Sequence, residues 1–309
     1  MKTSIEWTSY RAPDGRLVEG YTFNPWWGCT EVPKSPACEN CYAREFSERF
    51  PRSRGLWGHD ARRLLASEKT WGAPSAWNDE ARRDGLPRLV FCASMGDVFE
   101  ARQDLDEPRA RLFQLIAETP WLRWLLLTKR PHHAARLVPA TWRDRWPSNV
   151  WAGATVEDSE VRWRVDALRR LPAAVRFVSA EPIVVGLQVC GLCRDGLARS
   201  GAGDAQRHPI GGGVLPCQWA GIDWLIIGGE SGPRARPLDV PEAARLVEEA
   251  RAGGASVFWK QYGEAWARLR ARELGRKVDV HGRDPADWPE VMPREMPRAF
   301  VGVLEGPQP

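Results

Sequence analysis

Residues 24–50 read NPWWGCTEVPKSPACENCYAREFSERF, and the rest of the chain is arranged around this stretch. Cys29, Cys38 and Cys41 fall in one short loop, with eight residues between the first two thiols and two between the last two. The apolar residues at 22–26 predict a strand that leads into this loop. Three thiols gathered in one loop indicate a metal ion or an iron–sulfur cluster.

A helix is predicted directly after the last of these cysteines. Tyr42, Phe46 and Phe50 recur at every fourth position with charged residues between them, which is the spacing of one helix face. Pro51 ends this pattern. We therefore expect the thiol of Cys41 at a helix N-terminus, where the helix dipole favours negative charge.

Beyond the cysteine loop, six short apolar runs with strand character alternate with helical patterns. Strands that alternate with helices at this spacing predict βα units and a parallel sheet. The predicted strands are 22–26, 88–94, 124–127, 150–155, 175–179, 224–227 and 257–259. The clearest predicted helices are 106–119, 159–171 and 240–252. A small hairpin is predicted to join 5–7 to 17–18. The predicted fold class is α/β, a barrel or a partial (β/α) barrel of six to seven parallel strands.

Polar or charged residues follow the ends of the later strands. In a βα-barrel the carboxyl ends of the parallel strands meet on one face, and that face builds the site. We therefore expect most of these side chains to line one cavity; the alternative is that they are the solvated starts of loops. They are Asp97, Lys129, Arg130, Glu157, Glu181, Glu230 and Lys260.

Composition limits the classes of function. The 309 residues suffice for one large or two modest domains, and 27% charged and 43% hydrophobic residues are typical of a globular protein. The net charge of +4 permits an anionic partner without requiring one. No apolar run approaches the roughly 20 residues that span a bilayer, and the N-terminus has no apolar signal core. We expect a cytoplasmic protein without membrane contact, whose seven cysteines are thiols or metal ligands rather than disulfides.

Tryptophan is unusually frequent, with 17 residues in the chain. Large aromatic side chains bury much apolar area, so we expect most of them in the core or at its edge. The alternative is an aromatic platform on which nucleic-acid bases stack.

The three clustered cysteines leave the type of metal open. A structural zinc ion and an iron–sulfur cluster both usually have four protein ligands. Three thiolates on a four-iron cluster would leave one iron free to bind another molecule. A zinc site would need a histidine or a further cysteine, such as Cys92, as its fourth ligand.

Residues 186–221 interrupt the alternation and are rich in glycine, which predicts an insertion between two strands. Cys190, Cys193, His208 and Cys217 lie within it and form a Cys3His set that suits a structural zinc ion. The alternatives are a loop with incidental cysteines and a second iron–sulfur cluster. The predicted organisation is a barrel over 1–263 that carries this insertion, followed by a C-terminal extension over 264–309.

A series of short motifs runs in order along the barrel. They are SIEW at 4–7, NPWWGC at 24–29, CENCYA at 38–43, SMGDVF at 94–99, LLTKRP at 126–131, GATVED at 153–158, FVSAEP at 177–182, GGESG at 228–232 and KQYG at 260–263. As a set they resemble the radical S-adenosylmethionine (SAM) superfamily. Within it, they are most similar to a three-cysteine family of bacterial and phage proteins of unknown function.

This resemblance implies a partial barrel of the radical SAM type, with a 4Fe–4S cluster on Cys29, Cys38 and Cys41. SAM would bind the open iron, and an electron donor such as flavodoxin or ferredoxin would supply the electron that cleaves SAM to a 5′-deoxyadenosyl radical. That radical would take a hydrogen atom from the substrate. The commonest superfamily loop has three residues in the first gap and an aromatic residue before the last cysteine. This chain has eight residues there, and its Tyr42 comes after the last cysteine.

The resemblance and the charges together suggest roles for the residues at the strand ends. The segment with Ser94, Gly96 and Asp97 would hold the SAM amino group. Its carboxylate needs a cation, and Lys129 or Arg130 could supply it. Glu157 or Glu181 would bind the ribose hydroxyls, and the candidate catalytic groups are Lys129, Glu230 and Lys260.

The substrate remains open at the level of sequence. Mild basicity, the arginines and tryptophans, and the phage proteins among the similar sequences favour a nucleic-acid base or a nucleotide. The alternative function is a nucleic-acid-binding protein that an iron–sulfur cluster or zinc stabilises and that does not cleave SAM.

Overall fold

A computed structural model describes residues 2–183, 186–190, 207–210 and 213–304. Its strands are β1 (Tyr10–Arg11), β2 (Leu17–Val18), β3 (Tyr21–Phe23), β4 (Trp26–Trp27), β5 (Leu64–Leu65), β6 (Arg88–Cys92), β7 (Leu122–Thr128), β8 (Val150–Thr155), β9 (Val175–Ala180), β10 (Arg207–Ile210), β11 (Gly213–Pro216), β12 (Trp224–Gly228) and β13 (Ser256–Gln261). Its α-helices are α1 (Pro36–Glu39), α2 (Tyr42–Ser47), α3 (Glu68–Asp84), α4 (Asp106–Glu118), α5 (Pro131–Leu137), α6 (Trp163–Arg169), α7 (Val240–Ala252), α8 (Glu264–Leu274) and α9 (Arg298–Leu304). No helix within these residues is long and apolar enough to cross a membrane.

Seven of the strands form one sheet in the order β3-β6-β7-β8-β9-β12-β13. Every neighbouring pair in it is parallel. The sheet curls into a half-barrel, with helices between its strands. The predicted α/β class and the partial barrel of parallel strands are therefore confirmed.

The strands of this sheet are buried on both faces, so their sequences are nearly continuous apolar runs. Alternate residues belong to two separate apolar clusters. Val90 and Cys92 of β6 face the helices, whereas Leu89 and Phe91 face the inside of the half-barrel. Gly153 of β8 belongs to this packing, because a Cβ at that position would lie 2.2 Å from the ring of Phe177.

Both ends of the chain cover the open side of the half-barrel. Near the N-terminus, the ring of Trp7 lies 4.7 Å from that of Phe91, centroid to centroid. Near the C-terminus, Phe300 is 1% exposed and packs against Trp151 at 5.3 Å. The indole nitrogen of Trp224 also donates a hydrogen bond to a carbonyl of the C-terminal segment. The segment that the sequence suggested was an extension is thus built into the inner core.

The structure differs from the sequence prediction at the N-terminal edge. The predicted hairpin between 5–7 and 17–18 is wrong: β1 pairs with β2, and Glu6–Thr8 forms a 3-10 helix. The first sheet strand is also shorter than predicted. Trp26–Trp27 leaves the sheet after β3 and pairs antiparallel with β5. This second pairing carries the chain out of the sheet just before the cysteine loop.

Candidate functional site

A cavity of about 520 Å³ opens at the carboxyl edge of the half-barrel. Its volume is that of an ordinary ligand pocket. Most of the residues that the sequence singled out line it: Cys29, Cys38, Cys41, Ser94, Gly96, Asp97, Lys129, Glu181, Glu230 and Lys260. Arg130 and Glu157 are not among the lining residues and lie buried behind the wall.

Close backbone contacts hold the start of the cysteine loop against the end of β6. The amide of Gly28 donates a hydrogen bond to the carbonyl of Met95 at 2.9 Å. Gly28 has a φ of +109°, and a Cβ on it would lie 2.5 Å from the carbonyl oxygen of Leu56. A Cβ on Gly96 would likewise lie 3.0 Å from the indole nitrogen of Trp26. Both glycines therefore allow an approach that a larger residue would block.

Asp97, at the end of β6, is buried and accepts several hydrogen bonds. Thr128 donates its hydroxyl at 2.6 Å, the Lys129 amide donates at 3.1 Å, and Arg130 donates from its guanidinium at 2.9 Å. Burial by itself raises the pKa of Asp97, but the Arg130 charge and these hydrogen bonds outweigh it, so the pKa lies below its ordinary value. Asp97 is therefore a carboxylate that fixes the end of β7.

Arg130 connects Asp97 to Cys29, the first cysteine of the loop. Its guanidinium lies 3.5 Å from the Cys29 sulfur and also donates to the carbonyl of Thr30. Burial raises the pKa of the Cys29 thiol to about 12, and the Arg130 charge opposes that rise. Metal ligation would remove the proton, because only the thiolate is a ligand.

Glu157, at the end of β8, holds the middle of the cysteine loop. Its carboxylate is fully buried, accepts a hydrogen bond from the Ser35 hydroxyl at 2.6 Å and pairs with Arg164 at 2.7 Å. Ser35 directly precedes α1, which contains Cys38. No local sequence pattern singles out Ser35 or Arg164, because a serine in a loop and an arginine on a helix are common at solvated positions.

Glu230, after β12, holds the end of the same loop. Arg236 binds both of its oxygens, at 2.7 and 3.0 Å, and the Asn40 side-chain amide donates to it at 3.4 Å. Arg236 also pairs with Glu39 of α1 at 3.2 Å. Carboxylates at three different strand ends thus fix the cysteine loop near Cys29, at Ser35 and at Asn40.

Lys129 is the exception among these charged groups. Its ammonium forms no hydrogen bond or ion pair within the described ranges, although the residue is half-buried in the cavity wall. Burial lowers the pKa of Lys129, but Glu157, Cys38 and Cys41 outweigh it, so the pKa lies above its ordinary value. The lysine is therefore a charged group close to two of the three thiols, with its donors available to a ligand.

The opposite end of the cavity is formed by both chain ends. Lys260, after β13, pairs with Glu181 at 2.9 Å. Glu6 lies 3.3 Å from Arg283, and His281 lies 3.1 Å from Glu264. Burial raises the pKa of Glu6 against the charges of nearby cations. We call Glu6, Glu181, Lys260, Glu264 and Arg283 the inner end of the cavity.

Most residues of the inner end carry no signal in the sequence. Glu6 belongs to the SIEW motif, but a glutamate beside tryptophan carries no chemical signal by itself. His281 and Arg283 lie in the predicted C-terminal extension. Only the folding of both chain ends over the half-barrel brings these residues to the cavity.

Single-ion metal sites are absent from the part of the chain that the structure describes. No group of three or more His, Cys, Asp or Glu residues there could hold one metal ion. In the insertion, the sulfurs of Cys190 and Cys217 lie 4.0 Å apart and are buried. Cys193 lies outside the described residues, and so does the side chain of His208. The zinc site therefore stays a prediction.

A comparison with protein families matches residues 2–289 to a family described as a protein of unknown function, DUF5131. The chain belongs to this family. The match to DUF5131 spans the cysteine loop, the seven sheet strands and the inner end of the cavity. No curated protein matches the chain. No solved structure matches it either.

Proposed function

We propose that this DUF5131 protein is a radical SAM enzyme that holds a 4Fe–4S cluster on Cys29, Cys38 and Cys41. One observation carries the proposal. The three cysteines of a single loop line the cavity at the carboxyl edge of a parallel half-barrel. In βα-barrel enzymes this edge is where active sites are built.

The donor set suits a cluster better than one ion. Three thiolates would hold three irons of a four-iron cluster and leave the fourth iron open to SAM, whereas a structural zinc ion usually has four protein ligands. Cations lie beside these sulfurs, since Arg130 reaches Cys29 and the Lys129 charge acts on Cys38 and Cys41. Such cations offset the negative charge of a thiolate-bound cluster.

A 4Fe–4S cluster held by Cys29, Cys38 and Cys41 would supply the electron that cleaves SAM to methionine and a 5′-deoxyadenosyl radical, and that radical would remove a hydrogen atom from the substrate. The chain's own residues bind SAM and orient it. Lys129 supplies the cation for the SAM carboxylate because its ammonium has no protein partner among the described residues. The segment with Ser94 and Gly96 holds the amino group of SAM, and Glu181 holds its ribose.

The other strand-end residues have a supporting role in this proposal. Asp97 and Arg130 are occupied with each other and with the cysteine loop, and Glu157 is occupied with Ser35 and Arg164. We therefore assign them to positioning the loop rather than to contacting SAM. Glu230 has the same role through Arg236.

The test is anaerobic purification and cluster reconstitution, followed by ultraviolet–visible and electron-spin spectra with and without SAM. We expect a brown protein whose spectrum shifts on addition of SAM and which forms 5′-deoxyadenosine with dithionite or reduced flavodoxin. Cys92→Ala is the matched control, because Cys92 is buried on the helix side of β6, in the cluster of apolar side chains packed against the helices. A colourless zinc protein without SAM turnover would refute the enzyme and support the alternative, a metal-stabilised nucleic-acid-binding protein.

A further inference from the structure

Helix α2 and the turn that follows it place aromatic side chains on the surface instead of in the core. Phe46 is 40% exposed and Phe50 is 46% exposed. Their rings lie 5.2 Å apart, and the guanidinium of Arg49 lies 5.9 Å from the ring of Phe46. Together with the half-buried Trp57, these three residues form what we call the aromatic rim. Large apolar side chains grouped at a surface mark a place of interaction.

The aromatic rim is continuous with the cavity. Phe46, Arg49 and Trp57 line the same cavity as the cysteines and the inner end. A molecule that lies on the rim can therefore reach into the cavity without crossing a wall. This continuity connects the rim to the substrate of the proposed function, although binding at the rim does not require the cluster.

In the exposed segment that carries most of the rim, residues 48–62, arginines outnumber the carboxylates Glu48 and Asp60. Within the described ranges, four exposed arginines close together in the chain form no ion pair with a carboxylate: Arg49, Arg52, Arg54 and Arg62. Elsewhere on the surface, arginines such as Arg102 and Arg111 pair with acidic neighbours at 2.8 and 2.6 Å. Unpaired arginines attract polyanions, and alternating aromatic and arginine side chains are typical of single-strand binding surfaces.

The inner end of the cavity has the opposite character. Its carboxylates outnumber its cations, with Glu6, Glu181 and Glu264 against Lys260 and Arg283. A phosphate is therefore disfavoured at the inner end and favoured at the rim. A nucleobase suits the inner end, since its edge carries both N–H donors for carboxylates and acceptors for a lysine.

We infer that this protein binds single-stranded nucleic acid along the aromatic rim, with phosphates on the four arginines and one unstacked base in the cavity. This inference names the substrate class for the proposed function and rests on it only for the chemistry. A duplex is disfavoured, because a paired base would first have to be unstacked and flipped out of the helix before it could enter the cavity. An acidic peptide would meet the same arginines, but its carboxylate side chains offer no aromatic rings to stack on the phenyl rings.

The experiment measures fluorescence anisotropy of a fluorescein-labelled single-stranded DNA of mixed sequence, and of its RNA counterpart, with the full-length protein purified without oxygen. We expect Phe50→Ala to weaken binding by about five- to 150-fold, the range for one lost stacked base. We expect Arg52→Ala to lower the slope of log affinity against log salt by about 0.7, the value for one phosphate contact on a single strand.

Matched controls are available elsewhere on the surface. Trp163 is 43% exposed on α6, and Arg145 is exposed before β8, at the amino edge of the sheet. Trp163→Ala and Arg145→Ala should leave affinity and salt slope unchanged. Equal binding of a matched duplex or of polyglutamate, or equal losses in rim and control variants, would overturn the inference.

The same preparation separates this inference from the proposed function. Formation of 5′-deoxyadenosine without oligonucleotide binding would refute the nucleic-acid substrate but would support the proposed radical SAM activity. Oligonucleotide binding that depends on Phe50 and Arg52, without SAM cleavage, would refute the proposed radical SAM activity but would support the single-strand binding surface.

Discussion

The two groups of cysteines in this chain differ in what surrounds them. Cys29, Cys38 and Cys41 lie at the cavity wall beside the cations Arg130 and Lys129. Cys190 and Cys217 are instead buried in the core. Their neighbourhood includes Glu249, whose carboxylate accepts hydrogen bonds from the Cys190 amide and the Trp219 indole.

This difference separates two functions that one residue type can serve. Thiols at a cavity edge with cations nearby are accessible to a cofactor and can carry chemistry. Thiols packed among apolar side chains contribute volume and, with a bound metal, stability. Spacing along the chain does not distinguish these environments, whereas their position relative to the sheet does.

The largest expected effect comes from removing a cavity cysteine. Cys38→Ala should abolish cluster binding, because a four-iron cluster left with two protein thiolates loses an essential ligand. Iron analysis and visible absorbance after anaerobic reconstitution measure this. Cys217→Ala serves as the comparison and should keep its iron. If Cys38→Ala retained full iron while Cys217→Ala lost it, the roles of the two groups would be reversed.

The next effect concerns the carboxylate that anchors the cation beside Cys29. Asp97→Asn should lower the free energy of unfolding by about 3–5 kcal/mol, because it leaves the buried guanidinium of Arg130 without its counter-ion. Denaturant unfolding measures the change. Asp104→Asn removes an exposed ion pair with Arg102 and should cost no more than about 1 kcal/mol. Similar losses in both variants would show that the buried pair of Asp97 and Arg130 contributes no more to stability than an exposed ion pair.

The same carboxylate predicts a pH dependence. The pKa of Asp97 in the folded protein lies below its ordinary value of 3.8. Its stabilising contribution is therefore complete above that value and is lost as the pH falls below it, because the unfolded chain then binds the proton more tightly. The difference in unfolding free energy between the native protein and Asp97→Asn should therefore shrink as the pH falls below 3.8. A constant difference would contradict the lowered pKa.

A smaller effect is expected at the cation beside the other two cavity cysteines. Lys129→Ala should weaken SAM binding by about 1.5–3 kcal/mol, the worth of a hydrogen bond to a charged group. Equilibrium dialysis with the reconstituted protein measures the affinity, and Lys129→Arg, which keeps the charge, should recover part of it. Unchanged SAM affinity in Lys129→Ala would remove Lys129 from that role.

The smallest effect is expected in the core group. Cys217→Ala should reduce the free energy of unfolding by about 1–2 kcal/mol through lost packing, and SAM cleavage should continue. Metal analysis then tests the zinc prediction with a Cys190→Ala, Cys193→Ala double variant. Loss of zinc from the double variant would support the Cys3His site, and a zinc content equal to that of the native protein would refute it.

Much of the fold follows from local patterns in the sequence. The apolar runs of β6, β8, β9, β12 and β13 are long enough to be recognised, and α7 begins and ends where its pattern predicts. Asp239 caps that helix by accepting a hydrogen bond from the Glu242 amide. The short N-terminal elements were harder to predict, because two-residue strands have no measurable period.

The candidate site was predictable only in part. Residues at strand ends are brought together by any parallel half-barrel, so Asp97, Lys129, Glu181, Glu230 and Lys260 could be expected at one cavity. Which of them are free to bind a ligand depends on partners that are distant in sequence. Glu157 is paired with Ser35 and Arg164, and Glu230 is paired with Arg236, so these partners decide whether either carboxylate can bind a ligand. No local sequence pattern predicts such pairs.

The sequence by itself therefore determined the parallel α/β half-barrel, the cysteine loop after the first strand and the set of charged strand ends, because these depend on periodicity and on the order of elements. Only the tertiary structure decided that carboxylates from three strands hold the cysteine loop, that the Lys129 ammonium has no hydrogen-bond or ion-pair partner among the described residues, and that both chain ends complete the cavity. The physical reason is that pairing of buried charges depends on distance in space, which a single sequence does not display.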